Sequence, residues 1–287
     1  MSTRTLLFLP LLVAVGMFAH AETPDAPLRV QGAVPVAVPV VEAIKILKNE
    51  QHIEVELNVN GGSYGGIAAL GNGACDIALS TKPVSAAERA EHPSVSFNEI
   101  RIGAQAIVLT VSRDVWLSGI HSITLKDAKG IYEGTIQNWK ELGGADQKIN
   151  IFMNPPGRGI WEMLVQWLYG AVKKAPEKTY SPVTTAEEVR NSVEFTPGSF
   201  SQTVPSTIDN QYLFALGIKD AAGNVIEPTL ANFANRTYPL CRDLFLVVDD
   251  RPVLKIKDMV DFMLSDRGQA LIKKAGLIPL ADLEAKH

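Results

Sequence analysis

The sequence predicts an α/β fold in which a largely parallel sheet is layered with helices. Three observations carry that expectation: a strand–helix–strand–helix–strand run in the first ninety residues, one strictly alternating segment, and a second set of strands and helices beyond a long central insertion.

Each element has a local reason. "LRVQGAV" reads as a short strand ending in glycine, and Pro39 then opens "VVEAIKILKNE", where Val40, Val41, Ile44 and Leu47 make an apolar helical face. In "HIEVELNVN", Ile53, Val55, Leu57 and Val59 alternate with Glu54, Glu56 and Asn58, which predicts a strand with one buried face. "GGSYGGIAALGNG" is a short helix bounded by glycines, "CDIALS" is an apolar strand, and "AQAIVLTVS" (104–112) is a further strand. "SITLKDAKGIYEGTIQNWKELGG" holds a helix, a turn and a second short helix, and "KINIFMN" is a strand. The glycine turn of "MNPPGRGIWEML" feeds a helix expected to reach about Lys174. Thr184 with Glu187 reads as a capping box, "LCRDLFLVVDD" as an apolar strand, and the closing helices break around Ser265–Gly268. Two α/β units around an insertion suggest two lobes joined by crossovers near residues 112 and 240; a single larger α/β domain would give a similar string.

Charge and composition exclude some classes. With 27 Lys+Arg against 31 Asp+Glu and no basic stripe, nucleic acid is not an expected partner. The histidines are scattered without metal-ligand spacing, so no metal or other cofactor is expected. Residues 1–21 carry Arg4, the apolar run "LLFLPLLVAVGMF" and "AHA" before Glu22, which predicts a secretory signal cleaved after Ala21. The run is shorter than the roughly 20 residues of a membrane span, so the expected product is exported to the periplasm without membrane insertion. Cys75 and Cys241 either pair in that oxidising compartment or stay as two buried thiols.

Four stretches carry a resemblance to a known family. "VNGGSYGGIAALGNGACDIALSTKP" is similar to a glycine-serine-glycine helix start followed by G-x-A-D-I-x-x-S-x-[RK]-P, and "IYEGTIQNWKELGG" to I-[FY]-x-G-x-I-x-N-W-x-x-[LV]-G-G. "YPLCRDLFLV" resembles Y-P-L-S-R-P-L-Y-L, and "FMLSDRGQALIKKAGLIPL" resembles F-x-L-S-x-x-G-Q-x-x-[IV]-x-x-x-G-[YF]-x-P-L. In this order the chain resembles the periplasmic phosphate-binding proteins of ABC transporters and their type II solute-binding relatives. The resemblance implies a two-lobed fold, each lobe a mixed sheet flanked by helices, with two hinge crossovers. Lobe I would hold residues 22–112 and 240–287, and lobe II residues 113–239.

The resemblance also implies an interlobe site where helix N-termini, hydroxyls and an arginine hold a tetrahedral anion. Helix starts present unsatisfied N–H groups and roughly half a positive charge. Carried over by position, the expected ligand residues are Ser63 and Tyr64 at the second loop, Thr81 and Lys82 at the third, and Asn154, Gly157, Arg158 and Gly159 at the fourth. Val34 stands at the first loop, where Ala33, Val34, Pro35 and Val36 bring no hydroxyl. At the fourth loop the family's arginine, serine and threonine are replaced by Asn154, Arg158 and Ile160. Asp76 is expected to serve a turn.

The expected function is therefore a monomeric exported solute-binding protein that takes a phosphate-like or other oxyanion, organic ones included, and serves an ABC permease. The alternative is an accessory or sensory protein with a degenerate cleft that acts on another envelope protein. Ser80-Thr81-Lys82 has a Ser-x-Lys spacing, but alternation along a strand gives the same spacing, and no enzyme is expected.

Overall fold

The computed structural model describes residues 26–156, 159–170, 180–250 and 254–284. The signal segment with its cleavage site, and the expected end of the helix near Lys174, lie outside the described residues. Strand β1 (Leu28–Gly32), helix α1 (Val34–Gln51), β2 (Val55–Asn58), α2 (Gly62–Gly71) and β3 (Ile77–Ser80) form the expected run, with β1 parallel to both β2 and β3. Then come α3 (Ala86–Glu91), β4 (Phe97–Ala106), β5 (Val108–Ser112), α4 (Arg113–Leu117), β6 (Ser122–Thr124) and α5 (Leu125–Tyr132). The middle of the chain supplies β7 (Asn150–Met153), α6 (Gly159–Tyr169), β8 (Ser181–Pro182), α7 (Ala186–Phe195), β9 (Ser199–Thr203) and β10 (Leu213–Ala215). It continues through β11 (Gly217–Lys219), β12 (Val225–Ile226) and α8 (Leu230–Ala234). The chain closes with β13 (Cys241–Asp249), α9 (Leu254–Leu264), α10 (Asp266–Lys274) and α11 (Leu280–Glu284).

Two five-stranded mixed sheets, flanked by helices, make two lobes. The first has the order β2-β1-β3-β13-β4, the second β10-β5-β9-β7-β8, and a small sheet β12-β11-β6 extends the second lobe. The first sheet is covered on both faces, and the strand period decides which residue goes where. Leu244, Leu246 and Val248 of β13 pack with α1, α9 and α10, whereas Phe245 and Val247 between them pack with Ile67 and Leu70 of α2. The second lobe has one large core around Trp139, Phe200 and Tyr132. Trp139, from the tryptophan motif, is fully buried and donates its indole N–H to the Gly198 carbonyl at 3.0 Å, while Asn138 caps the short 3-10 turn. That motif builds the second lobe's core.

Three local expectations are corrected. The first helix begins at Val34, with Pro35 in its first turn, and Pro39 lies inside it. A proline there leaves the Pro35 carbonyl without its helical donor, a loss borne by a helix with a buried Val36, Val40, Ala43 and Leu47 face. The segment 104–112 is two strands in two sheets: β4 pairs with β13 in the first, and β5 pairs with β9 and β10 in the second. The chain thus crosses at Ile107, so β5, assigned by sequence to the first lobe, belongs to the second. Ile107 N–H donates to Leu240 O at 3.0 Å, which ties the two crossovers together. The cap of α7 is Thr185, which accepts from Glu188 N–H, one residue later than expected; Thr184 donates to the Glu188 carboxylate. Past α10, Ile278 bridges to Ala104, and α11 packs on α8 of the second lobe.

Candidate functional site between the lobes

A cavity of about 310 Å³ opens where the N-termini of α1, α2 and α6 converge. Its position follows from close backbone packing. A side chain at Gly66 would bring its Cβ within 2.6 Å of the Gln31 carbonyl, so only glycine lets α2 lie flat on β1 with its N-terminus at the sheet's end. Gly61, at φ +82°, supplies the left-handed turn into that helix. From the second lobe, Gly159 at the start of α6 comes so close that a Cβ there would sit 3.0 Å from the Pro35 ring.

The α2 side is rich in donors. No side chain caps the helix, so the first-turn N–H groups of Gly62, Ser63 and Tyr64 have no acceptor among the described residues. Ser63 sits in the first turn, and its Oγ accepts from Thr81 N–H at 3.0 Å while lying 3.2 Å from Thr81 Oγ1. One hydroxyl proton is used between the two oxygens, which leaves the other for the cavity. The α1 side is apolar: Val34 and Pro35 line it, Pro35 has no N–H, and Val36 N–H turns back to Ala33 O.

Arg242 and Glu162 are the charged residues of the lining among the described residues. Arg242 comes from β13, and its Nε and Nη2 both donate to Gln105 Oε1, at 3.0 and 2.8 Å, which leaves Nη1 without an acceptor among the described residues. Burial pulls the guanidinium below its ordinary pKa, and the facing Glu162 carboxylate acts in the opposite direction. Glu162, one turn into α6, has no hydrogen-bond or ion-pair partner among the described residues.

Of the nine residues expected from sequence, the structure brings Ser63, Thr81, Val34 and Gly159 together around the cavity. Lys82 and Tyr64 do not line it. The Lys82 ammonium grips both oxygens of Glu88 at 2.7 and 2.6 Å and lies 4.4 Å from the Tyr64 ring centre, and Tyr64 is 70% exposed. Burial pushes the Glu88 carboxyl up, but the bonds from Lys82 and Ser85 outweigh it and hold it below its usual range. Asn154 is also off the cavity: it is buried, with its amide donating to Val183 O at 2.6 Å. Gly157 and Arg158 lie outside the described residues.

Sequence reasoning missed Arg242, Glu162 and Gln105. The arginine had a signal, since it stands in the matched "YPLCRDLFLV" stretch; the other two had none. Ser80 and Lys82 do not form a nucleophile–base pair, because Ser80 Oγ donates to the Lys82 carbonyl at 2.6 Å and the lysine head points to Glu88. Asp76 accepts from the Arg29 backbone and guanidinium, a pairing that joins β1 to the start of β3. Cys75 and Cys241 are separate free thiols, which burial pushes up to about 12 and about 11 respectively.

Comparison with known proteins agrees with this architecture. A family model described as a PBP superfamily domain matches residues 19–267. The phosphate-binding protein PstS of Bacillus subtilis is 25% identical over 237 residues, covering 82% of this chain and 75% of that protein. PstS of Borreliella burgdorferi is 26% identical over 227 residues, with 76% and 77% covered. Among solved structures, a possible phosphate-binding protein from Planctomyces limnophilus superposes with a TM-score of 0.78 at 18% identity, covering 90% of this chain and 95% of that one. PstS from Borrelia burgdorferi gives 0.68 at 23% identity, with 89% and 99% covered. The chain therefore belongs to the PBP superfamily and is a PstS-like member of it.

Proposed function

We propose that this protein is an exported solute-binding protein that holds a small anion between its lobes and delivers it to an ABC importer. The observation that carries the reading is the uncapped N-terminus of α2, with the Ser63 and Thr81 hydroxyls, set in one cavity with the half-spent Arg242. Charge-assisted bonds from backbone amides and a guanidinium fork are the strong kind, and hydroxyls add donors without adding charge. The curated relatives' function as phosphate-binding proteins supports an anion as the cargo. The signal-like first 21 residues support periplasmic delivery, and no helix among the described residues is long and apolar enough to cross a membrane. Hinge closure at Ile107 and Leu240 would trap the ligand, and the protein would act as a monomer.

Thermal unfolding of the purified mature protein tests this reading against phosphate, sulfate, molybdate, phosphonates and small carboxylates. A ligand present at a hundred times its Kd stabilises the folded state by about 2.7 kcal/mol, which raises the melting temperature by several degrees. The second reading, an accessory protein acting through another envelope protein, draws on the donor-poor α1 mouth and on Lys82 being committed to Glu88. It predicts no shift with any of these anions at millimolar concentration.

A further inference from the structure

The cavity holds a cation and an anion that leave each other unpaired. Among the described residues, Arg242 Nη1 has no acceptor after the two bonds to Gln105 and Glu162 has no partner, although both line the same space. A carboxylate in an anion site is costly if the ligand is anionic all over, because like charges disfavour one another where water is excluded. The cost becomes a gain if the ligand brings its own positive charge to that carboxylate. The lining points the same way. The remaining wall includes Ala33, Val34, Pro35 and Val59, which suits a short carbon spacer between two charged groups.

We propose, on the reading that the cleft binds anions, that its cargo is a small zwitterion: an oxyanionic head for Arg242 and the α2 N-terminus, joined by a short carbon link to an ammonium that meets Glu162. Glu162 is then the residue that sets specificity, rewarding the ammonium and repelling ligands that lack it.

Aminomethylphosphonate and ethylphosphonate test this directly, because they match in heavy-atom skeleton and differ by the ammonium. Calorimetric titration of the full mature protein is expected to show aminomethylphosphonate binding at least ten-fold tighter than either ethylphosphonate or inorganic phosphate. In Glu162→Gln the two kinds of ligand should move in opposite directions: the zwitterion weakens, ethylphosphonate and phosphate tighten, and the preference falls to within about two-fold. Unliganded melting temperature checks that the variant folds; if it does not, the wild-type preference alone decides. Wild-type protein that binds ethylphosphonate or phosphate as tightly as aminomethylphosphonate overturns the zwitterion proposal and leaves the anion reading standing. So does a preference that survives in Glu162→Gln. If none of the three ligands binds, the zwitterion proposal falls, and the anion reading stands or falls with the wider panel of sulfate, molybdate and small carboxylates.

Discussion

Helices α1 and α2 both aim their N-termini at the interlobe cavity, yet they offer it opposite chemistry. At α2, glycines and Ser63 leave the first-turn amides bare and add a hydroxyl shared with Thr81. At α1, Pro35 removes one amide, Val36 N–H folds back on Ala33, and Val34 and Pro35 present methyl and ring carbons. The same macrodipole acts at both ends, so the dipole alone does not make a site. What separates them is the count of unspent donors. The α2 end, with Arg242 beside it, is the half that grips charge, and the α1 end is the half that shapes the space.

That contrast breaks most visibly at Arg242. Arg242→Ala removes the fixed cation of the gripping half and is expected to cost about 1.5–3 kcal/mol of anion affinity, roughly ten- to more than a hundred-fold in Kd by calorimetry. Gly66→Ala acts through placement. Its new Cβ meets the Gln31 carbonyl, so α2 must lift from β1, and an unfolding loss of about 1–3 kcal/mol is expected, with anion affinity falling alongside. Ser63→Ala takes away one hydroxyl and leaves Thr81 N–H unpaired, for about 1 kcal/mol of affinity.

Two substitutions sharpen the comparison from the other side. Val34→Ser places a hydroxyl at the donor-poor mouth and is expected to tighten anion binding by up to about 1 kcal/mol, since Val34 is partly exposed in the cavity and its loss opens no core void. Lys82→Ala should change anion affinity by less than about 0.5 kcal/mol, because the ammonium is held by both oxygens of the half-buried Glu88 and does not line the cavity. The pair has a pH dependence of definite sign. The Glu88 carboxyl is held below its ordinary range, so its stabilisation is present at neutral pH and is lost as pH falls through the lowered value. Unfolding followed against pH in wild type and Glu88→Gln checks this: the two curves should converge in acid.

Much of the first lobe was legible because its information is local. The β1–α1–β2–α2–β3 run alternates on short periods, and the glycines around Ser63 mark a helix start whatever surrounds them. The error at α1 has a local cause too. Both Pro35 and Pro39 suit a first turn, and a proline inside a helix is penalised by every local rule, so the later one looked like the start. The gripping residues were less legible. Lys82 follows β3 and Arg242 lies within β13; the lysine turns to Glu88, six residues on, while the arginine is set by Gln105, 137 positions away, which no nearby residue announces.

By itself, then, the sequence determined the α/β class, the parallel start of the first sheet and the glycine-bounded mouth of α2, all set by periodicity and backbone freedom over a few residues. Tertiary structure alone decided that β13 inserts antiparallel between β3 and β4, and that 104–112 divides between two sheets at Ile107. It also decided that Arg242 and Glu162, 80 residues apart in the numbering, share one cavity. The physical reason is the range of the contacts. Strand pairing and charge placement between distant segments are settled by which surfaces can be buried together, and local patterns do not encode that.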